Sequence, residues 1–189
     1  MKKTIAILLL FTIGFISCEN SEKEIKKLDI AKKYYQALDN SDSSQMLTLI
    51  GDSIVIRENA DNYEERFSQN GYTVWLEWDS VFEPTYKILE IQEENEIVKA
   101  KISKDDKRIF FLTQEPMIWT EIVRFEDKKI VKIDRIEYEV FNVSKFVEKR
   151  EKLVNWISKN HSELSGFLYP QTKSVGKKYL KAIELYGNR

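Results

Sequence analysis

One cysteine, Cys18, and one histidine, His161, are all that the 189-residue chain contains of either type. A lone cysteine excludes disulfides within the chain, so stability in an oxidising compartment has to come from packing. A lone histidine excludes zinc sites built from several histidines and leaves a serine-histidine-acid triad with a single candidate base. His161 lies between Asn160 and Ser162 at the expected end of a helix, where an exposed imidazole beside the last carbonyls is the ordinary role. A strong field of one sign is also missing. The 30 basic and 31 acidic residues nearly cancel, which leaves nothing to steer a nucleic acid, and none is expected as a partner. Internal repeats and low-complexity blocks are absent too. What is present is a 42% hydrophobic and 12% aromatic composition, too apolar for disorder and long enough for one domain with its own core.

The longest apolar run, Ile5 to Phe15, follows Lys2 and Lys3 and leads to Ile16-Ser17-Cys18, the layout of a secretory signal. It is about half of the ~20 residues that a membrane-crossing helix needs, so a permanent transmembrane anchor is the weaker reading. Phe15-Ile16-Ser17-Cys18 resembles the lipobox of bacterial lipoproteins, with Phe15 in place of the usual leucine. The resemblance implies a signal peptide over 1–17 and lipid attachment at Cys18 through palmitate-like acyl chains. The protein would then be anchored in the bacterial cell envelope, at the periplasmic face of the outer membrane or at the cell surface. Two or three chains, at about 0.8 kcal/mol per buried CH₂, hold where one does not. The competing reading is a soluble secreted protein cut near Ser17. Residues 18–24 read as an acidic tether, and Glu19, Glu22 and Glu24 resemble the export address of some surface lipoproteins.

Ile25, Leu28, Ala31, Tyr34, Tyr35 and Leu38 recur at helical spacing and stop near Asp39-Asn40-Ser41. Asp42 and Gln45 read as a capping box for a second helix bearing Met46, Leu49 and Ile50 and ending at Gly51. Ser53 to Arg57 reads as a strand. Tyr63 to Phe82 reads as helix interrupted at Asn70-Gly71, with Trp75, Trp78 and Phe82 on one side as core and Pro84 as the stop. The period then changes to two. Thr85 to Gln92 pairs with Ile97 to Ser103, and Met117 to Phe125 with Lys129 to Phe141. Arg108 to Thr113 fits a short strand or a loop. Phe146 to Ile157 and Val175 to Tyr186 are helical, with Gly166 and Pro170 between them.

This order resembles the nuclear transport factor 2-like superfamily, which includes steroid delta-isomerase and the polyketide cyclases. Ala31 to Asp42 is similar to the family's first helix with its terminal aspartate, continued by Leu47, Leu49, Asp52 and Ile54. Ile122 to Ile130 is similar to its last hairpin, with Lys128 where glycine is usual. The resemblance covers 25–141 and implies an α+β cone, N-terminal helices packed on a curved antiparallel sheet. The 142–189 segment adds two C-terminal helices.

The resemblance places Tyr34 where the isomerase has its oxyanion-binding tyrosine and Glu121 where it has a protonated acid. Arg57 falls at the general base, with Glu58 next along; a cation cannot abstract a proton, so isomerisation of that type is not implied. Trp119, Glu121 and Val123 share the cavity face of their strand. In the last strand a three-residue turn with a bulge sends Ile133, Arg135 and Glu137 inward, and a two-residue turn sends Asp134, Ile136 and Tyr138. The family alignment favours the first. The candidate pocket is therefore Tyr34, Arg57, Trp119, Glu121, Arg135 and Glu137, with no cofactor, no metal and no assigned catalytic residue. It would hold a polar small molecule, present the acid-arginine-acid set with which epoxide hydrolases of the superfamily activate water, or close the cone with internal ion pairs. The missing base favours a non-catalytic module for a small ligand or an envelope protein. The alternative is an isomerase, dehydratase or hydrolase that works with carboxylates and tyrosine. A homodimer through the sheet, and a tail that covers the cavity mouth or presents a partner surface, are further expectations.

Overall fold

The computed structural model describes residues 26–58 and 63–189; the leader, Cys18, the tether and Ile25 lie outside the described residues. α1, Lys27–Asp39, buries Ile30, Ala31, Tyr34, Tyr35, Ala37 and Leu38 along one stripe. Ser41 takes φ 52° to end it, and Asp42 caps α2, Ser43–Leu49, by accepting the Gln45 N–H at 2.9 Å. The chain then passes directly into β1, Ile50–Glu58. Gly51 therefore lies inside the strand and does not stop the helix.

Tyr63–Ser68 is a strand, β2, antiparallel to β1, where a helix was expected. Tyr63 and Phe67 are four apart, a spacing that suits a helix, but Tyr63, Glu65 and Phe67 also share one face at period two. The open edge of β1 supplies the backbone partners that decide between the two. Ser68 then caps α3, Gln69–Ser80, by accepting the Gly71 N–H at 3.1 Å, so Asn70-Gly71 belongs to the first turn of the helix. β3, Thr85–Glu94, and β4, Ile97–Asp105, form a hairpin around Asn95 and Glu96, both at positive φ. Arg108 to Thr113 is neither strand nor loop: Lys107–Thr113 is a helix, α4, because Asp106 caps it through the Ile109 N–H at 2.6 Å.

β5, Met117–Glu126, and β6, Lys129–Val140, turn through Asp127 and Lys128 at φ 45° and 62°. The sheet order is β2-β1-β6-β5-β4-β3, antiparallel throughout except for the parallel pair β1/β6. The architecture is the expected α+β cone, with α1, α2 and α3 packed on the inner face of the sheet.

α5, Val143–Asn160, and α6, Lys173–Gly187, do not lie on the outer face of the sheet. Leu153, Ile157, Phe167, Tyr179 and Ala182 pack with Trp78 and Phe82 behind α3, forming a second core. Gly176 makes the approach of α6 to α3 close: a Cβ there would lie 3.1 Å from the Trp78 carbonyl oxygen. The outer sheet face carries ion pairs, Lys101 with Glu139, and Arg124 and Lys132 with Asp134. No helix among the described residues is long and apolar enough to cross a membrane.

Candidate functional site

A cavity of about 560 Å³ opens between the inner sheet face, α3, α4 and the tail. Its sheet wall follows from strand periodicity. Ile56 and Glu58 of β1 line it, as do Tyr63, Glu65 and Phe67 of β2. Arg57 belongs to the other face, in register with Asp134. The expectation of Arg57 in the pocket is corrected: Glu58 occupies the inner position, so the cavity wall bears a carboxylate where the family alignment had put a cation.

The last strand departs from both turn models. The two-residue turn is there, but β6 shifts register opposite Arg124/Phe125, again opposite Thr120/Glu121 and a third time opposite Ile118/Trp119. The first bulge sends Ile133 and Arg135 inward opposite Val123 and Glu121. The second brings Tyr138 inward opposite Trp119 and puts Glu137 outside, exposed, opposite Thr120. Glu137 is thus corrected out of the candidate pocket, and Tyr138 takes its place in the wall.

Glu121, Trp119 and Arg135 do converge. Glu121 is buried behind Trp119 and Arg135 and does not itself line the cavity as expected, accepting from Tyr35 Oη at 2.7 Å and from Trp119 Nε1 at 2.5 Å. Both of its oxygens are thus engaged as acceptors. Arg135 Nη1 donates to Glu58 Oε1 at 2.7 Å, while its Nε stands 3.6 Å from Glu121 Oε2. Its guanidinium also lies 5.1 Å over the Trp119 ring. Burial works against the Arg135 charge, yet Tyr138, Glu121 and Glu58 together hold its pKa well above the ordinary arginine value. Burial pushes the Tyr138 hydroxyl up to about 12, with Arg135 pulling the other way.

Tyr34 is buried behind this wall and reaches the cavity only through Tyr72, whose hydroxyl is 2.5 Å from its own. Burial first, then Tyr72, raises the Tyr34 pKa well above 10. Tyr72 therefore presents the ring to the cavity where Tyr34 was expected to.

A second ionic cluster was not foreseen. Lys104 of β4 reaches Asp79 Oδ1 of α3 at 2.5 Å and Asp106 Oδ2 at 3.5 Å. Arg108 of α4 reaches Asp106 Oδ2 at 3.2 Å and Asp79 Oδ1 at 3.8 Å, and Tyr86 donates to Asp79 Oδ2 at 2.9 Å. Lys104 and Arg108 line the cavity, and their carboxylates are buried behind them. The signal was in the sequence: Val98, Ala100, Ile102 and Lys104 alternate on one face, and Asp79 continues the Tyr72-Leu76 stripe. Charges so placed require partners, and these are paired.

Among the described residues no cluster of three or more histidine, cysteine, aspartate or glutamate side chains is placed to hold a metal ion. A depression of similar volume by Glu115 and Phe141–Ser144 is open to solvent. What the main cavity can do is hold a molecule with an apolar body against Trp75, Trp119, Tyr138 and Phe146, and meet polar groups with Glu58, Arg135, Lys104 and Arg108.

No family model matches the chain, and no curated protein does. Solved structures do. IdmH, a proposed polyketide cyclase from Streptomyces antibioticus, matches with a TM-score of 0.50 at 13% identity, over 67% of this chain and 99% of that one. A proposed ketosteroid isomerase from Kribbella flavida matches at 0.49 and 8%, over 61% and 80%. A nuclear transport factor 2-like protein of unknown function from Cytophaga hutchinsonii matches at 0.49 and 9%, over 62% and 94%. The fold is the nuclear transport factor 2-like cone. At these identities the likeness concerns the fold alone.

Proposed function

We propose that this protein binds a small molecule inside the cone, and that it does so held at the bacterial envelope by lipid on Cys18. The observation that carries the first half is the cavity of about 560 Å³, which the tail leaves open and nearly half of whose lining residues are aromatic. Behind α3, by contrast, Phe82, Phe167 and Tyr179 close on one another and leave no such opening. The envelope half is carried by the lipobox-like Phe15-Ile16-Ser17-Cys18. Trp75, Trp78 and Trp119 line the cavity, so quenching of tryptophan fluorescence across a panel of small aromatic and aliphatic compounds tests the binding. A panel that leaves the emission and the melting temperature unmoved would sink it.

Catalysis is the second reading, and Glu58 is the observation that favours it. A cation at the base position would favour a purely binding role, but the inner position is held by a carboxylate paired to Arg135. In this reading Glu58 takes a proton from the bound molecule while Arg135 stabilises the developing negative charge. Turnover of a ligand found by the first screen, lost in Glu58→Gln with binding retained, would establish it; a ligand recovered unchanged by the wild-type protein would leave binding as the function.

A further inference from the structure

The side chains that line the cavity leave a one-sided polar balance. Among the described residues, the buried polar atoms of cavity-lining side chains that lack a hydrogen-bond partner are Trp78 Nε1, Arg108 Nε and Arg135 Nε. All three are N–H donors. Lys104, Arg108 and Arg135 each have a carboxylate within 4 Å. Arg150, which α5 contributes to the wall, has none among the described residues and rests on the Phe146 ring, 5.4 Å away.

Two of these donors, those of Trp78 and Arg108, lie at the end that the tail builds. The Arg108 guanidinium lies 4.7 Å over the Trp78 ring. The Tyr179 hydroxyl, buried and without a partner, stands in the fields of both Arg108 and Arg150, which oppose the burial that raises its pKa to about 12. Trp78 itself is 2% exposed. These three nitrogens are enclosed, whereas the Arg108 side chain keeps 16% of its surface exposed and Arg150 lines the wall, so a bound oxygen meets the two guanidiniums from the cavity side.

We propose that the molecule bound in the cone is an organic anion with a flat apolar body, its anionic group received by Arg150 and Arg108 at the tail end and its body laid against the aromatic walls. This rests on the cavity being the binding site. It deepens that reading by assigning a charge to the ligand and by giving α5 a part in recognition. Guanidiniums on a carboxylate or sulfonate form charge-assisted hydrogen bonds, the strongest type a cavity of this kind can offer.

Two fluorescent probes with nearly the same rings separate the ideas. 1-Anilinonaphthalene-8-sulfonate carries an anionic group, and N-phenyl-1-naphthylamine lacks it. The full mature chain should bind the sulfonate about tenfold more tightly or better, the factor expected of hydrogen bonds to a charged group. Arg150→Ala should bring the two affinities together by weakening the sulfonate alone, and Arg150→Lys should recover part of the difference. Val147→Trp adds bulk to the cavity wall from the same helix and should weaken both probes. Equal binding of both probes, with no selective effect of Arg150→Ala, overturns the anion assignment and leaves the cavity reading in place. Binding of neither probe, or binding that Val147→Trp does not change, overturns the cavity reading and this inference with it.

Discussion

Arg57 and Glu58 are neighbours in the chain and lie on opposite faces of β1, and that single alternation changes what the cavity can do. The inner carboxylate is held by Arg135, whose second partner, Glu121, is itself fully engaged by Tyr35 and Trp119. Glu121→Gln puts an amide N–H₂ against one of those two donors, and we expect it to lower unfolding free energy by about 2–3 kcal/mol, read from the urea midpoint at unchanged m-value. Asp106 gives a pH prediction. Burial raises its pKa, but Arg108 and Lys104 outweigh burial and hold it below the ordinary 3.8. Its contribution is therefore complete above the unfolded value and is lost as pH falls through the lower folded value. Asp106→Asn keeps an acceptor for the Ile109 N–H and removes the charge, so it should flatten the loss of stability below about pH 4 while lowering stability at pH 7. An unchanged acid limb in that variant would show that the charge pairing contributes nothing.

At the scale of elements, the contact of α6 with α3 depends on the absence of a side chain at Gly176. Gly176→Val places a branched side chain against the Trp78 carbonyl and Val81, and overpacking of this type costs about 1–3 kcal/mol. At roughly 2–4 °C per kcal/mol for a chain of this size, calorimetry should show a clear fall in melting temperature. The three register shifts of β6 show why the inner face of that strand was not legible beforehand. Each moves the pairing by one residue, and the two nearer the turn admit Arg135 and Tyr138 while excluding Glu137. Turn chemistry alone predicts one alternation along the whole strand, and this strand has four segments. The caps were legible: Asp42 accepts the Gln45 N–H as its spacing implied. The Asp106 cap is equally local in sequence, but short apolar runs such as Ile109 to Leu112 do not distinguish helix from strand by periodicity.

For the whole molecule, the tail shares a core with the cone. Trp78 and Phe82 of the cone side are covered by Leu153, Ile157, Phe167 and Tyr179. A chain ending at Phe141 would expose those rings, and we expect it to aggregate or to bind hydrophobic dyes without a cooperative melt. A truncated chain with a sharp melt would show instead that the tail is a separable arm. The membrane proposal is tested in cells. Wild type should fractionate with membranes, whereas Cys18→Ala should leave the lipidated form and accumulate unprocessed; a Cys18→Ala protein that is processed and still membrane-bound would defeat the proposal.

The sequence by itself determined the α+β class, the stripes of α1 and α3 and both long hairpins, because each depends on periodicity or on residues a few positions apart. It brought Trp119 and Glu121 to one face for the same reason. Tertiary structure alone decided the rest. β2 became a strand because β1 offered an edge, Glu137 turned outward because β6 bulges, and Lys104 met Asp79 and Asp106 because a buried cation takes the carboxylates that folding brings within reach. Pairing partners, register and burial are properties of what the chain folds against, and those neighbours are far away in sequence.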